Sequence, residues 1–325
     1  MECLEPVRIR YGEDYIYVPC GHCKSCAMNK QSDWSTRLEF ESKSFPKQSV
    51  LFVGLSYNDE HLPEYGSLCK RDLQLFMKRL RKWLYPRKCR FFAAGEYGDQ
   101  HMRPHFHVIL FGVTESDLKT YQAFYSHKVK GLVAFSDLWS VGGKPIGRIT
   151  IQRILPIHFA YVAKYATKRL TGDMAKSFED YSGMIPEFVQ MSRNPGIGRE
   201  ECERRIERLK RDGAIWVKPG IYKRLPRYFL DIVFSDKDSV EYREYKDKRL
   251  DFALNAAADW AKEHPGLTAE EARKLKRQQI EQKIKNIERR NNRHVQATFY
   301  DIFKKCVENS AFESFVSFFD RKAKE

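Results

Sequence analysis

The sequence predicts an α+β fold in which helices flank antiparallel β-strands and a helical region follows at the C-terminal end. Apolar stretches of strand length occur at Val50–Tyr57, Arg90–Tyr97 and Arg103–Phe111. Only the turn-forming residues Gly98–Met102 separate the second stretch from the third, so these two form an antiparallel hairpin. Lys70–Leu84 lies between the first two stretches and repeats apolar residues at helical spacing.

The charge of the chain predicts a polyanionic partner. Its 325 residues are enough for two or three domains, and 58 Lys and Arg against 43 Asp and Glu give a formal net charge of +15. Aromatic residues lie among the basic ones, which suits single-stranded nucleic acid because bases stack on rings while cations contact phosphates. The alternative is a merely soluble basic protein. No apolar stretch is long enough to cross a membrane and no signal peptide is visible, so we expect no membrane partner and a reducing cytoplasm.

Four cysteines in the N-terminal arm, residues 1–45, predict either a metal site or free thiols. Cys20, Cys23 and Cys26 form two overlapping Cys-x-x-Cys units, and Cys3 can supply a fourth thiolate. Without a secretory signal, such a cluster favours metal binding over disulfides. Four thiolates can bind a structural Zn²⁺ tetrahedrally. The alternative is a set of free thiols near the start of a helix.

The hairpin contains candidate ligands for a second metal ion. Side chains alternate faces along a strand, so His105 and His107 project from the same side about 7 Å apart. Neutral imidazoles are good metal ligands. If the turn centres near Gln100, Glu96 lies opposite His105 and is the best candidate for a third, anionic ligand. The alternative is that the histidines are core residues or belong to a structural site.

The segment after the hairpin predicts a helix, a strand and a second helix. Thr114–Lys128 begins with a Thr-x-x-Asp pattern, which resembles an N-terminal capping box and predicts the first helix. Gly147–Ile154 predicts the strand. Pro156 suits the first turn of the second helix, which runs to about Leu170.

The second helix places two tyrosines and two lysines on one stripe. Positions i, i+3, i+4 and i+7 are occupied by Tyr161, Lys164, Tyr165 and Lys168. The alternative is an ordinary amphipathic helix whose polar face happens to hold tyrosines. A tyrosine hydroxyl has a pKa of about 10 and is a poor nucleophile unless a nearby cation favours the phenolate. Lys164 and Lys168 can supply that charge, and a divalent ion on the hairpin can polarise a phosphate. Together these elements predict a metal-dependent nuclease that attacks a phosphodiester with a tyrosine.

Three ordered motifs resemble the HUH endonuclease superfamily. The superfamily is named for histidine–hydrophobic–histidine, here His105-Phe106-His107. Phe52–Asp59 resembles its first motif, the histidine strand its second and the tyrosine helix its third. The doubled tyrosine is similar to that of the bacteriophage rolling-circle initiators.

A closer likeness is to the replication initiators of small single-stranded DNA phages of the gokushovirus type. Pro19–Cys26, Gly95–Gly98 and Met191–Gly198 carry this likeness, which covers about residues 1–230. The resemblance implies a central antiparallel sheet with the histidines on a central strand and with flanking helices. It also implies Mg²⁺ or Mn²⁺ bound by the two histidines and a third polar residue. The hairpin argument above makes Glu96 the candidate for that third ligand.

The function implied by the resemblance is rolling-circle replication initiation, by nicking and joining single-stranded DNA through a 5′-phosphotyrosine. The implied partners are single-stranded or origin DNA, a host helicase and the replisome, in the cytoplasm of an infected bacterial host. A relaxase or transposase of the same chemistry is one alternative, against which the Cys-rich arm and the Met191 loop argue. A non-catalytic basic nucleic-acid-binding protein is the other, and it predicts no covalent adduct.

The sequence divides into four predicted segments. In the last, we predict a short aromatic helix at Ala311–Phe319 and an accessory role in contacts with DNA, partners or another copy. The segments are residues 1–45, a Cys-rich arm with the candidate zinc site; 46–172, the HUH endonuclease core; 173–236, a basic aromatic extension that includes a charged helix at Glu201–Lys210; and 237–325, the charged helical C-terminal region.

Overall fold

The computed structural model describes residues 2–98, 102–168 and 173–290. Four predicted features lie outside this description: residues 99–101 of the turn, the end of the tyrosine helix at Leu170, the side chain of Lys168, and the helix Ala311–Phe319. The strands, in chain order, are β1 (Val7–Tyr11), β2 (Asp14–Val18), β3 (Val50–Ser56), β4 (Arg90–Tyr97), β5 (Pro104–Phe111), β6 (Thr120–Ser126), β7 (Gly131–Ser136), β8 (Ser140–Val141), β9 (Lys144–Pro145), β10 (Ile149–Arg153), β11 (Phe188–Met191), β12 (Ala214–Lys218) and β13 (Ile221–Arg224). The α-helices are α1 (Lys24–Ser42), α2 (Lys70–Leu84), α3 (Pro156–Lys168), α4 (Asp173–Ser182), α5 (Arg199–Arg204), α6 (Ile206–Asp212), α7 (Arg227–Val233), α8 (Val240–Glu263) and α9 (Ala269–Arg290).

Packing divides the described residues into two units. One, which we call the sheet unit, is Ser42–Ile197. The other, the terminal unit, joins the N-terminal residues up to Glu41 to residues 198–290. The four segments predicted from the sequence follow composition rather than packing, and their boundaries stay predictions.

The sheet unit is built on a seven-stranded sheet with the strand order β11-β4-β5-β3-β10-β7-β6. Each pair of neighbouring strands is antiparallel. The histidine strand β5 pairs with β4 on one side and with β3 on the other, so it lies inside the sheet. The predicted α+β fold, with a central antiparallel sheet, flanking helices and a helical C-terminal region, is confirmed.

Side chains along β5 alternate between a buried core and the histidine face. Phe106, Val108 and Leu110 are fully buried in a core that α2 covers, and burial of each stabilises the fold by about 1.5–3 kcal/mol. His105 and His107 point to the other face, where α3 packs against β4 and β5. α2 contributes its apolar stripe to the core: Leu73, Phe76, Met77, Leu80 and Leu84.

One predicted helix, Thr114–Lys128, is wrong. The capping box between Thr114 and Asp117 is present, but it caps only a single 3₁₀ turn, Glu115–Leu118. Lys119 then adopts a left-handed backbone conformation with a φ of 48°, and the chain continues as β6. The aromatic residues of β6 suit a strand, and pairing with β7 outweighs the local helix signal.

The terminal unit is mainly helical. Its apolar core includes Phe40 and Phe229, both almost completely buried, and receives side chains from α5 to α8. The predicted helix Glu201–Lys210 is interrupted, because α5 and α6 meet at Arg205, whose φ of −111° and ψ of 11° are not helical. Among the described residues of the whole chain, no helix has the length and apolar character that crossing a bilayer requires.

Candidate active site

Strand pairing brings the candidate ligands of the hairpin together. In the register of β4 and β5, Glu96 faces His105 and Ala94 faces His107, so the acidic side chain lies on the histidine face, as the hairpin predicted. On the other flank, Gly54 of β3 lies opposite His107. Because both neighbours of His107 are small, side chains of α3 can approach its imidazole.

The three candidate ligands converge on one carboxylate oxygen. His105 Nε2 lies 2.8 Å and His107 Nε2 lies 2.6 Å from Oε1 of Glu96. His105 donates its other ring N–H to the carbonyl of Arg103 at 3.0 Å, so a neutral His105 turns the lone pair of Nε2 towards Glu96. A lone pair and a carboxylate oxygen repel each other at this distance unless they share a proton or a cation. The cluster therefore fits a divalent ion with two imidazole ligands and one carboxylate ligand.

The pKa values in the cluster follow from protons shared between the histidines and Glu96. Burial raises the pKa of Glu96, but hydrogen bonds from both histidines outweigh it and hold the pKa well below its ordinary range. Burial lowers the pKa of His105, and the hydrogen bond to Glu96 more than compensates, so that this pKa is raised. His107 is buried more deeply, and desolvation lowers its pKa. Glu96 is thus an anion and His107 a neutral imidazole at neutral pH.

Tyr161 of α3 lies directly beside these ligands. Its hydroxyl oxygen is 3.2 Å from His107 Nε2 and 3.4 Å from Glu96 Oε1. The Tyr161 and His107 rings meet edge-on with their centroids 5.1 Å apart. Lys164 places Nζ 5.5 Å from the centroid of the Tyr161 ring and 5.1 Å from that of Tyr165. A positive charge therefore lies beside both rings.

Tyr165 lies deeper in the same pocket of side chains. It is 4% exposed, whereas Tyr161 is half-buried. Its ring stacks on His107 with a centroid separation of 6.0 Å and lies 5.5 Å from the Tyr161 ring. Burial raises the pKa of Tyr165 above its ordinary range, and the nearby carboxylate adds to this effect. The structure therefore brings both tyrosines and Lys164 to the ligands, while Lys168 is the last residue of α3 and its side chain is not described.

Contacts of two further aromatic residues with the site were not predicted from the sequence. Phe52 of β3 stacks on His107 with a centroid distance of 5.5 Å and on His158 with a distance of 4.5 Å. His158 lies three residues before Tyr161, so helical spacing was a signal that could have identified it. Burial and the neighbouring His107 lower the pKa of His158, which is consequently neutral near pH 7.

The loop after β11, which contributes to the family resemblance, holds the opposite end of β4. Arg90 donates to the backbone carbonyls of Asn194 at 3.3 Å and Pro195 at 2.7 Å. Along an extended strand, Arg90 and Glu96 are about 20 Å apart. The loop therefore fixes the position of β4 at the end that does not contain Glu96.

The four predicted cysteines also meet, in the terminal unit. Their sulphur atoms all lie within 4.8 Å of one another. Cys23 and Cys26 are buried, Cys3 and Cys20 are half-buried, and all four are free cysteines. The second candidate metal centre thus has converging ligands as well.

Comparison with known proteins identifies the family and is consistent with the motifs of the sequence. Residues 50–170 match the model of the family described as replication-associated protein ORF2. The chain is 31% identical over 251 residues to the replication-associated protein ORF2 of Spiroplasma virus 4, covering 72% of this chain and 73% of that protein. It is 26% identical over 292 residues to the replication-associated protein VP4 of Bdellovibrio phage phiMH2K, covering 78% and 89%. No solved structure matches the chain. The chain therefore belongs to the replication-associated protein ORF2 family, together with these phage proteins.

Proposed function

We propose that the protein initiates rolling-circle DNA replication by nicking and rejoining single-stranded DNA through a tyrosine. The most direct support is that the Tyr161 hydroxyl lies 3.2 Å from His107 Nε2 and 3.4 Å from Glu96 Oε1, so a nucleophile stands beside the candidate metal ligands. The relatives are named replication-associated proteins, which favours replication over a relaxase or transposase of the same chemistry. A non-catalytic DNA-binding protein would need neither the paired tyrosines nor the converging ligands.

Glu96, His105 and His107 would hold Mg²⁺ or Mn²⁺. Carboxylate oxygen suits both ions, and this set of two imidazoles and one carboxylate leaves coordination positions for substrate oxygens. When bound, the ion would act as a Lewis acid on the scissile phosphate. The hydrogen bond from His105 to the carbonyl of Arg103 orients the imidazole so that Nε2 faces the site.

The covalent step belongs to α3. The Tyr161 oxygen gives up its proton and attacks the phosphorus, and the bond from phosphorus to the 3′-oxygen breaks. That oxygen takes up a proton, so the products are a 5′-phosphotyrosine and a free 3′-hydroxyl. Because one phosphate ester replaces another, attack by a 3′-hydroxyl on the phosphotyrosine reverses the step and joins the ends. Lys164 assists by favouring the phenolate of the tyrosine beside it.

We assign the first cut to Tyr161 and a later transfer to Tyr165. Tyr161 is half-buried and its hydroxyl contacts two of the candidate ligands. Tyr165 is 4% exposed, so a side chain must move before it reaches a phosphate. A second tyrosine one turn away suits the transfer of a DNA strand from one nucleophile to the other.

The substrate class is single-stranded or origin DNA. The formal net charge of +15 favours a polyanion and strengthens encounter at low salt. Synthesis from a nick also requires strand separation, so the expected partners are a host helicase and the replisome in an infected bacterial host.

The test is incubation of the full chain with single-stranded origin DNA and Mn²⁺, followed by detection of a protein–DNA species that resists boiling. We expect an adduct in the wild type, none when Tyr161→Phe and Tyr165→Phe are combined, and DNA binding retained in that double variant. Tyr85→Phe is the matched control, because this tyrosine of the same unit is 83% exposed and should leave the adduct unchanged. An adduct in the double variant, or its absence from the wild type on every origin substrate, would contradict the proposal.

A further inference from the structure

The sulphur atoms of four cysteines in the terminal unit lie close together, all within 4.8 Å of one another. Cys3 Sγ lies 3.5 Å from Cys20 Sγ, 3.7 Å from Cys23 Sγ and 3.6 Å from Cys26 Sγ. Cys20 Sγ and Cys26 Sγ are 4.0 Å apart. The Cys3 sulphur therefore contacts each of the other three, although Cys3 is distant from them in the sequence.

These separations match one tetrahedral metal ion rather than a covalent bridge. Zinc binds thiolates at about 2.3 Å, and two ligands of a regular tetrahedron of that size are about 3.8 Å apart. A disulfide would require about 2.05 Å, far less than any of the observed separations. Four thiolates are soft ligands, which favour Zn²⁺ over Mg²⁺ or Mn²⁺. We propose that Cys3, Cys20, Cys23 and Cys26 bind one structural Zn²⁺, independently of the proposed nicking activity.

The backbone around the cluster is arranged to stabilise thiolates. The N–H of Cys20 donates to Cys3 Sγ, and the N–H of Cys23 donates to Cys20 Sγ, each at 3.3 Å. Such outer hydrogen bonds orient metal ligands and offset part of their negative charge. Cys23 and Cys26 are 8% and 7% exposed, so four thiolates this close together would need a cation at their centre.

The position of the cysteines in the fold explains what the ion would do. Cys3 precedes β1 and Cys20 follows β2, so the two close the base of the β1–β2 hairpin. Cys23 and Cys26 stand at the beginning of α1 and join that base to the helix. Every strand residue of β1 and β2 whose side chain is described is exposed, except the half-buried Val18. An isolated two-stranded hairpin is marginally stable in water, and a metal ion at its base supplies the stability that apolar packing does not.

His22 lies within the cysteine motif and close to Cys20 and Glu5, but the proposed four-cysteine site does not need it as a ligand. Its Nδ1 hydrogen-bonds to the carbonyl of Cys20 at 3.0 Å, and its side chain is 75% exposed. Four cysteines already complete a tetrahedral coordination, which is the arrangement of a structural rather than a catalytic zinc site. His22 therefore provides a control that lies inside the motif.

Elemental analysis of the purified full-length protein tests the proposal. We expect one zinc per chain in the wild type, in His22→Ala and in His107→Ala, and loss of zinc in Cys3→Ser and Cys23→Ser. His107→Ala separates this site from the active site, because only a zinc bound at the active site would be lost there. Protein without zinc, protein with iron instead, or zinc that survives in both cysteine variants would overturn the proposal.

Limited proteolysis of the wild type avoids the risk that a cysteine variant fails to fold. Removal of zinc with a thiol-reactive reagent and a chelator should make cleavage between residues 7 and 18 much faster, and added Zn²⁺ should reverse the change. Unchanged cleavage of this hairpin after zinc has left would contradict the structural role.

Discussion

The candidate active site and the cysteine cluster bring together candidate metal ligands in different ways. The candidate active site takes two imidazoles and a carboxylate from adjacent strands of the central sheet, with tyrosines beside them. The cysteine cluster takes four thiolates from the base of a hairpin and the beginning of a helix. Three hard or borderline ligands leave an ion accessible to substrate, whereas four soft ones enclose it. The number and chemistry of the ligands thus suggest which ion would take part in chemistry and which would hold the fold.

We expect the largest effect from metal removal, to which the two sites should respond differently. Brief treatment with EDTA should abolish adduct formation, because hard ligands with open positions release their ion readily, while the melting temperature changes little. Added Mn²⁺ should restore the adduct. Adduct formation and thermal unfolding measured on the same samples check this. If mild EDTA unfolds the protein and activity falls in proportion, the comparison fails.

The next effect concerns the only anion among the three active-site ligands. Glu96→Gln keeps the size of the side chain but removes its charge, and we expect adduct formation to fall by about 100-fold or more. The pKa of His105, now raised by the carboxylate, should fall in this variant and can be followed by NMR titration. Glu64→Gln, at an exposed position of the same unit, is the control. Zinc content should not change in either variant.

A smaller difference is expected between the two tyrosines. Tyr161→Phe alone should slow the first cut at least about tenfold more than Tyr165→Phe alone, a difference of about 1.4 kcal/mol in the activation barrier. The half-buried Tyr161 hydroxyl contacts the ligands, whereas Tyr165 is enclosed. Single-turnover kinetics on single-stranded origin DNA measure this difference in rate. Equal rates would mean that either tyrosine can make the first cut.

The smallest effect comes from a residue that belongs to neither cluster. Asp117→Asn weakens a capping box and an ion pair with Arg87, and should cost about 1 kcal/mol of stability. Burial raises the pKa of Asp117, but the hydrogen bonds from Arg87 and Thr114 outweigh it, so the pKa is lowered. The stabilisation is therefore present above the unfolded value of about 3.9 and is lost as pH falls through the lowered folded pKa. Denaturant unfolding of the wild type and the variant at pH 7 and pH 3 measures this loss of stability. Zinc content and nicking at pH 7 should stay as in the wild type.

Local patterns in the sequence predicted the centre of the fold. Alternation along the histidine strand and the turn residues before it were enough to place Glu96 opposite His105, because both follow from the backbone geometry of one hairpin. The likeness to replication proteins of small phages was predicted from the segments Pro19–Cys26, Gly95–Gly98 and Met191–Gly198, and membership of such a family is confirmed. The helix Lys70–Leu84 was predicted with the bounds that the structure has.

Features that depend on distant strands were not predicted. The capping box at Thr114 is a correct local signal, yet the residues after it form β6 because β7 is available as a partner. Phe52 joins the site only because β3 pairs with β5, and no spacing in the sequence relates it to His158. Cys3 was a candidate only as a further cysteine near the N-terminus, because its spacing does not relate it to the other three. The β1–β2 hairpin is what brings Cys20 back to Cys3.

The alternation along β5 has a consequence for protein engineering. Phe106, Val108 and Leu110 fill the core from the same strand that presents His105 and His107 on its other face. One residue inserted between His105 and His107 would exchange the faces of every side chain beyond it, bringing imidazole into the core and exposing apolar groups. Length changes should therefore not be tolerated in this strand. Redesign of the site therefore has to proceed by substitution within a fixed register.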